Sequence, residues 1–512
     1  MSVLAWTIYF SFLGAGVLLF LPKNNVSLAR AVALLAALAG FGCGLIGAMR
    51  IAPGTIQTVA RIPWIPSLGI EYYLAADGIS VTLVLLTGLA AIAGILFSWN
   101  VQERAKEFFA FYLALIGGVY GVFLSFDVFL LFVFYEIAII PKYFIIAIWG
   151  STRREYGAMK LALYSFVGSA MVLIGLIAAF VLAGGKSMNL LELSTFPFPH
   201  EFQLWAFPLV FVGFGILAGL WPFHTWAPTG HVAAPTAASM LLAGVVMKLG
   251  AYGCLRVAMT LFPGGLDPWG WHVLGLGSWR DVLSLLAVVG IVYGAMVALV
   301  QRDFKFVIGY SSVSHMGFVL LGLMTLNRVG LSGAVLQMFS HGIIAGLLFA
   351  VVGRMVYDRT HTRELAQLAG MHLNRLIPFA AVTFTIASVA SMGLPGFSGF
   401  VAELQILIGA WQAYPTLTVL TGAGIVVGVA YTLRVLQKAF FADPETTQTV
   451  DVADKGGEHV AMAPISAPER IGALMLIGAS LVIGLYPRLL LDLIGPSFGS
   501  ALFEGLRRGG SF

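Results

Sequence analysis

Glu136, Lys142, Lys248 and Glu403 each lie within a long apolar stretch, although Asp, Glu, Lys and Arg make up only 10% of the residues. An ionisable group at bilayer depth costs roughly 2.5–3.5 kcal/mol on insertion scales. A chain bears that cost where the group faces protein or water and acts there, most often in proton transfer. Glu136 stands near the middle of FLLFVFYEIAIIPKYF, with no countercharge beside it in sequence. Lys248 stands in MLLAGVVMKLGAYG, roughly ten residues from either end of its stretch, too deep to reach water by extending its stem. His315 in GYSSVSHMGF and His341 in QMFSHGIIAGLLF add the side chain that titrates closest to physiological pH. Glu136 alone also fits a structural carboxyl hydrogen-bonded to another helix, Glu403 an interfacial carboxylate, and each histidine a buried structural residue. Their order with Lys248 and Glu403 along successive helices is what favours a relay. His224 and His231 flank a proline- and glycine-rich interruption and read as residues that stabilise that loop.

These side chains must be positioned by a membrane-embedded scaffold. Hydrophobic residues make up 59% of the chain and the mean hydropathy is +0.95, whereas a soluble protein lies nearer 45–50% apolar. Lipid forces every backbone group to pair internally, so the chain reads as an all-α polytopic membrane protein. A barrel would show alternating segments of about ten residues instead of continuous apolar runs. The 60 glycines suit close helix contacts in lipid.

Fourteen spans are expected, near 3–21, 28–49, 79–98, 108–125, 127–149, 158–183, 206–223, 237–261, 281–300, 304–325, 331–353, 377–411, 415–440 and 471–494. The seventh ends in LWPFHTWAPTGHVAAPT and the twelfth carries MGLPGFSGFVAEL, both apolar helices broken by Pro and Gly. Paired broken helices in corresponding parts of two halves point to an inverted-repeat transporter. Spans 4–8 and 9–13 would then be two inverted five-helix repeats with helices 7 and 12 broken. One transmembrane domain over 1–512 would divide into 1–107, 108–261, 281–440 and 471–494.

The net charge of +5 reads as loop charge that sets topology, not as a nucleic-acid surface. Loops on one side of the expected spans hold 16 Lys and Arg, Lys305 counted among them, and those on the side of the termini hold 9, Arg256 counted among them. That bias puts both termini outside the cytoplasm. The longest hydrophilic stretch, Ala442 to Glu469, reads as a cytoplasmic loop. The first apolar run, Val3 to Leu21, lacks a basic leader and reads as a retained span. Cys43 and Cys254 have no metal or redox spacing. HExxH, a serine elbow and a GxxxxGK[ST] loop are all lacking, so no metal, nucleotide or redox cofactor is expected in this chain.

The strings FYEIAIIPKYFIIAIWG, PFHTWAPTGHVAAPTAASMLLAGVVMKLGAYG, RDFKFVIGYSSVSHMGFVLLG, QMFSHGIIAGLLFAVVGRMVYDRTHTR and GLPGFSGFVAEL resemble the antiporter-like subunit M family of respiratory complex I, NADH–quinone oxidoreductase. The resemblance runs from about Leu74 to about Leu489. It implies fourteen helices with broken helices 7 and 12, and a proton path in which Glu136, Lys248 and Glu403 match the family's fifth-, eighth- and twelfth-helix residues. His315 and His341 match the histidines between them. It implies that NADH, FMN, iron–sulfur clusters and quinone belong to partner subunits. Other membrane subunits, including neighbouring antiporter-like ones, and a long lateral helix from a partner would contact this chain in a bacterial cytoplasmic membrane.

One departure concerns the seventh helix. The family's lysine seven residues before the His of the PFHTW-like motif is Leu217 here, and Thr229 stands where an acidic residue is usual. Lys142 is a candidate replacement partner for Glu136. It lies six residues on, about 240° round the helix and about 9 Å along it, so it would act through water or a neighbouring helix. The other reading is that Lys142 snorkels to the cytoplasmic side. Alternatives for the whole chain are the D-type component of a multisubunit sodium/proton antiporter, a membrane component of an energy-converting hydrogenase-like complex, or a scaffold that has lost pumping.

Overall fold

The computed structural model describes residues 2–22, 25–270, 275–442 and 462–508. Most of the hydrophilic stretch Ala442–Glu469, with Lys455, lies outside these residues, as does Lys23.

Each apolar run becomes a helix, because only intrahelical pairing satisfies its backbone in lipid. The order is α1 (Ala5–Phe20), α2 (Val26–Arg50), α3 (Gly78–Phe97), α4 (Ala105–Leu124), α5 (Val128–Trp149) and α6 (Arg154–Leu182). Then come α7a (His200–Ala218), α7b (Trp226–Ala233), α8 (Thr236–Leu261), α9 (Trp279–Val300), α10 (Phe304–Met324) and α11 (Arg328–Thr360). The chain continues through α12a (Pro378–Ser391), α12b (Ser398–Ala413), α13 (Pro415–Phe441), α14 (Ala467–Leu485) and α15 (Arg488–Ser497). Several starts are marked by a polar cap. Asp77, Asp127, Ser278, Asp303 and Asn327 accept first-turn amides of α3, α5, α9, α10 and α11.

Among the described residues twelve helices, with α7a and α7b counted as one, are long and apolar enough to cross a membrane. α1 and α12a are shorter apolar helices. The apolar windows of α8 and α11 are entirely buried, while only 28% of those of α2 and α13 is buried. The polar side chains of α8 and α11 therefore face protein, not lipid.

Four features differ from the sequence reading. A two-stranded antiparallel hairpin, β1 (Gln57–Ile65) and β2 (Ile70–Ala76), precedes α3, so the fold is not purely helical. Its turn passes through Gly69 at φ +60°, a conformation glycine adopts without strain. The hairpin docks on the start of α5, where Asp127 accepts the Glu71 amide at 3.0 Å and Tyr73 the Phe126 amide at 2.9 Å. The expected last span, 471–494, is instead two helices, because Pro487 follows the end of α14 and the chain turns into the amphipathic α15. Arg256, counted as a loop residue from its place near a helix end, is fully buried inside α8. Lys305, also counted as a loop residue, is buried in the first turn of α10, where its Nζ donates to the carbonyls of Val232 and Ala234.

Candidate functional site

Lys248 is fully buried on α8 between two π-helical segments, Leu242–Val246 and Cys254–Ala258. Such bulges recur at functional sites because they free backbone groups from the regular ladder. Here Lys248 Nζ donates to the Ala243 carbonyl one turn back. The same Nζ lies 2.7 Å from His341 Nδ1 on α11.

Two glycines allow that reach. A methyl at Gly342 would meet the Gly244 carbonyl oxygen at 2.6 Å, and one at Gly244 would meet the Gly342 carbonyl oxygen at 3.0 Å. Small residues at a membrane helix crossing let backbones approach this closely.

The line continues from α11 to α10. The rings of His341 and His315 stack with centroids 5.3 Å apart. His315 Nδ1 lies 3.1 Å from Glu403 Oε1 on α12b, and His315 Nε2 lies 3.2 Å from the Ser391 hydroxyl. Gln337 Nε2 donates to the same carboxylate oxygen at 3.1 Å. His315, Gln337, His341, Ser391 and Glu403 share a cavity of about 10 Å³, roughly the room one water needs. A neighbouring cavity of about 20 Å³ continues past Glu403 and His315 toward Tyr431 and Gly424 on α13.

The break between α12a and α12b shapes the far end. Gly393 at φ +74° and Gly396 at φ +103° take the left-handed backbone that ends one helix and turns the chain into the next. A methyl on Gly393 would also stand 3.0 Å from Glu403 Oε2.

Four of the expected site residues, Lys248, His341, His315 and Glu403, thus form one succession of contacts. Glu136 lies apart from it and accepts a hydrogen bond from Ser169 on α6. Lys142 does not snorkel: it is 1% exposed, and its Nζ has no hydrogen-bond partner among the described residues. Glu136 is the charged group that bears on it electrostatically. Leu217 is buried on α7a. His224 and His231 are buried beside the α7 break, and their ring nitrogens have no hydrogen-bond partner among the described residues.

The sequence reading missed three groups. Gln337 carries no charge, but it lies four residues before His341, hence on the same helix face. Ser340, Ser398 and Ser480 form a hydroxyl chain with steps of 2.8 and 3.1 Å. Asp77 and Arg256 form a fully buried bidentate pair at 2.6 and 2.7 Å. Arg256 also donates to the Tyr252 hydroxyl at 3.2 Å and lies over the rings of Phe126, Tyr252 and Phe503.

Residues 125–428 match the family model described as NADH:quinone oxidoreductase/Mrp antiporter, TM. The chain is 37% identical over 458 residues to the NADH-quinone oxidoreductase subunit M of Rhodobacter capsulatus, covering 87% of this chain and 84% of that one. It is 36% identical over 478 residues to an NAD(P)H-quinone oxidoreductase chain 4 of Thermosynechococcus vestitus, covering 91% and 86%. A chain of respiratory complex I from Thermus thermophilus with bound NADH superposes with a TM-score of 0.84 at 27% identity, over 98% of this chain and 99% of that one. A chain of the Mrp complex from Dietzia sp. shares the fold, with a TM-score of 0.83 at 21% identity over 99% and 100%.

Proposed function

Because the chain belongs to the NADH:quinone oxidoreductase/Mrp antiporter transmembrane family, we propose that it is the proton-translocating, non-redox membrane subunit of a complex-I-type NADH–quinone oxidoreductase. The observation that carries the reading is the order Lys248–His341–His315–Glu403 inside two helices whose apolar windows are entirely buried and their neighbours.

The relay works by proton exchange alone. Lys248 takes a proton from the cytoplasmic side and hands it to His341 Nδ1, which points at its ammonium. An imidazole that gains a proton on one nitrogen releases one from the other. His341 Nε2 has no protein partner among the described residues, so a water in the adjoining cavity takes that proton to His315. His315 then passes one from Nδ1 to Glu403 Oε1. Glu403, beside the α12 break, releases it toward α13.

Quinone reduction in partner subunits drives these steps. NADH, FMN, iron–sulfur clusters and quinone belong to those partners, which include neighbouring antiporter-like subunits and a lateral helix. Glu136 and Lys142 serve the entry half-channel, with Lys142 standing in for the absent seventh-helix lysine. The burial of Lys142 near Glu136 supports this.

In this reading α1 and the broken α12 join the twelve longer helices to make fourteen spans. α4–α8 and α9–α13 are two inverted five-helix repeats over 108–261 and 281–440, preceded by 1–107 and followed by 471–494, and the matching breaks in α7 and α12 support that division. The chain lies in a bacterial cytoplasmic membrane with both termini on the non-cytoplasmic side.

The test is Lys248→Met in the intact complex, reconstituted in vesicles. The relay requires fewer protons moved per NADH oxidised. An unchanged ratio would leave the chain as a scaffold. The shared fold with the Mrp complex favours a second reading, a component of a cation/proton antiporter. Co-purification with an NADH-oxidising peripheral arm separates the two.

A further inference from the structure

We propose that the apolar cleft between α2, α3, α11 and α14 is a phospholipid site, with an acyl chain in the cleft and an anionic phosphate at the arginines of its mouth. The cleft has a volume of about 600 Å³ and is walled by Phe41, Leu45, Leu89, Phe339, Val482 and Leu489. That volume falls within the roughly 300–1,000 Å³ typical of small-molecule sites. Along α2 it runs from Met49 to Phe41, about 12 Å at helical rise. This is close to half of a hydrocarbon core about 30 Å thick, so the cleft has the depth of one leaflet.

Arg488 and Asp492 bring charge to its rim. Arg488, the first residue of α15, lines the cleft, and Arg50 follows Met49, which lines it on α2. Both are exposed and make no salt bridge among the described residues. Asp492 also lines the cleft, but it borders a second groove of about 450 Å³ as well, where Arg328 lies against α15. Arginine prefers phosphate because its planar fork of donors fits two oxygens. The amphipathic α15 buries Leu490 and Ile494 and leaves Arg488 and Asp492 outward, which sets it at headgroup level. An apolar slot one leaflet deep, with the Arg488 guanidinium at its rim free of any salt bridge among the described residues, matches a phospholipid in both parts. A helix from a partner subunit would match only the slot.

The experiment uses the full chain in detergent, supplied with dioleoylphosphatidylglycerol or dioleoylphosphatidylcholine and weighed by native mass spectrometry. A phosphatidylglycerol carrying a diazirine on its acyl chain locates the site. One phosphatidylglycerol is expected to stay bound, with the label on residues 41–49 and 479–493. Arg488→Gln, an exposed change that leaves the core intact, is expected to weaken retention of phosphatidylglycerol about fivefold and that of phosphatidylcholine less. Ala479→Phe, and independently Ala48→Phe, should fill the cleft and lower retention of both lipids at least about tenfold. Equal retention in all variants overturns the proposal. So does label spread evenly round the helical belt, or label on the cleft that disappears when the chain is probed within the intact complex, where a partner helix would cover it.

Discussion

Gly342 of α11 and Gly244 of α8 face each other so closely that a methyl on Gly342 would lie 2.6 Å from the carbonyl oxygen of Gly244. His341 adjoins the first glycine, and Ala243, whose carbonyl receives Lys248, adjoins the second. The glycine pair thus sets the distance over which Lys248 and His341 meet.

Gly342→Ala is therefore expected to push α8 from α11 and lengthen the Lys248–His341 contact. Overpacking of this kind costs about 1–3 kcal/mol. The measurable result is a lower thermal midpoint together with slower proton pumping. Gly346→Ala, one turn along the same helix, places its methyl where no atom lies within 4 Å and should leave both unchanged.

Gln337→Leu removes a donor from Glu403 at nearly constant volume. A buried acceptor left short of a partner costs about 1–3 kcal/mol. Proton translocation should slow severalfold, with the secondary structure by circular dichroism intact. An unaltered rate would take Gln337 out of the relay.

Lys142→Met separates stability from transport. It removes a buried cation whose Nζ has no hydrogen-bond partner among the described residues, and relief of roughly 2 kcal/mol or more is expected from the cost of burying such a charge. The variant should resist heat better than the wild type yet move fewer protons per electron. An unchanged stoichiometry would remove Lys142 from the mechanism.

Arg256→Leu leaves Asp77 buried without its countercharge, which costs about 3–5 kcal/mol. Asp77→Leu should cost a comparable amount. The double replacement by apolar side chains should recover most of the loss. Assembly of α3, α8 and the C-terminal segment, read by limited proteolysis, is the sensitive measure, because Arg256 also packs against Phe126 and Phe503.

The four residues of the proposed relay were legible in sequence because a charge in an apolar run is conspicuous. Lys248 and Glu403 stood out by type alone, and His315 and His341 by their order with them. The contacts between them depend on tertiary packing that no spacing reveals, above all the glycine crossing of α8 and α11. Asp77 and Arg256 escaped because each sits near a helix end, where a charge ordinarily meets water. The hairpin escaped because its outward residues are partly apolar, as at Ile62 and Trp64, which blurs the alternation that marks a strand. The two helices after 467 read as one span because Pro487 interrupts an apolar run too briefly to change its average hydropathy.

The stacked imidazoles of His341 and His315 are joined through a space that holds about one water. A membrane that stores energy as a voltage cannot contain a permanently open conductor. With the crossing limited to a single solvent molecule, drying that one spot breaks the circuit and wetting it closes it. In the proposed relay the narrowness of the gap is therefore a safeguard against passive leak, and the supply of one water becomes the throttle on ion current.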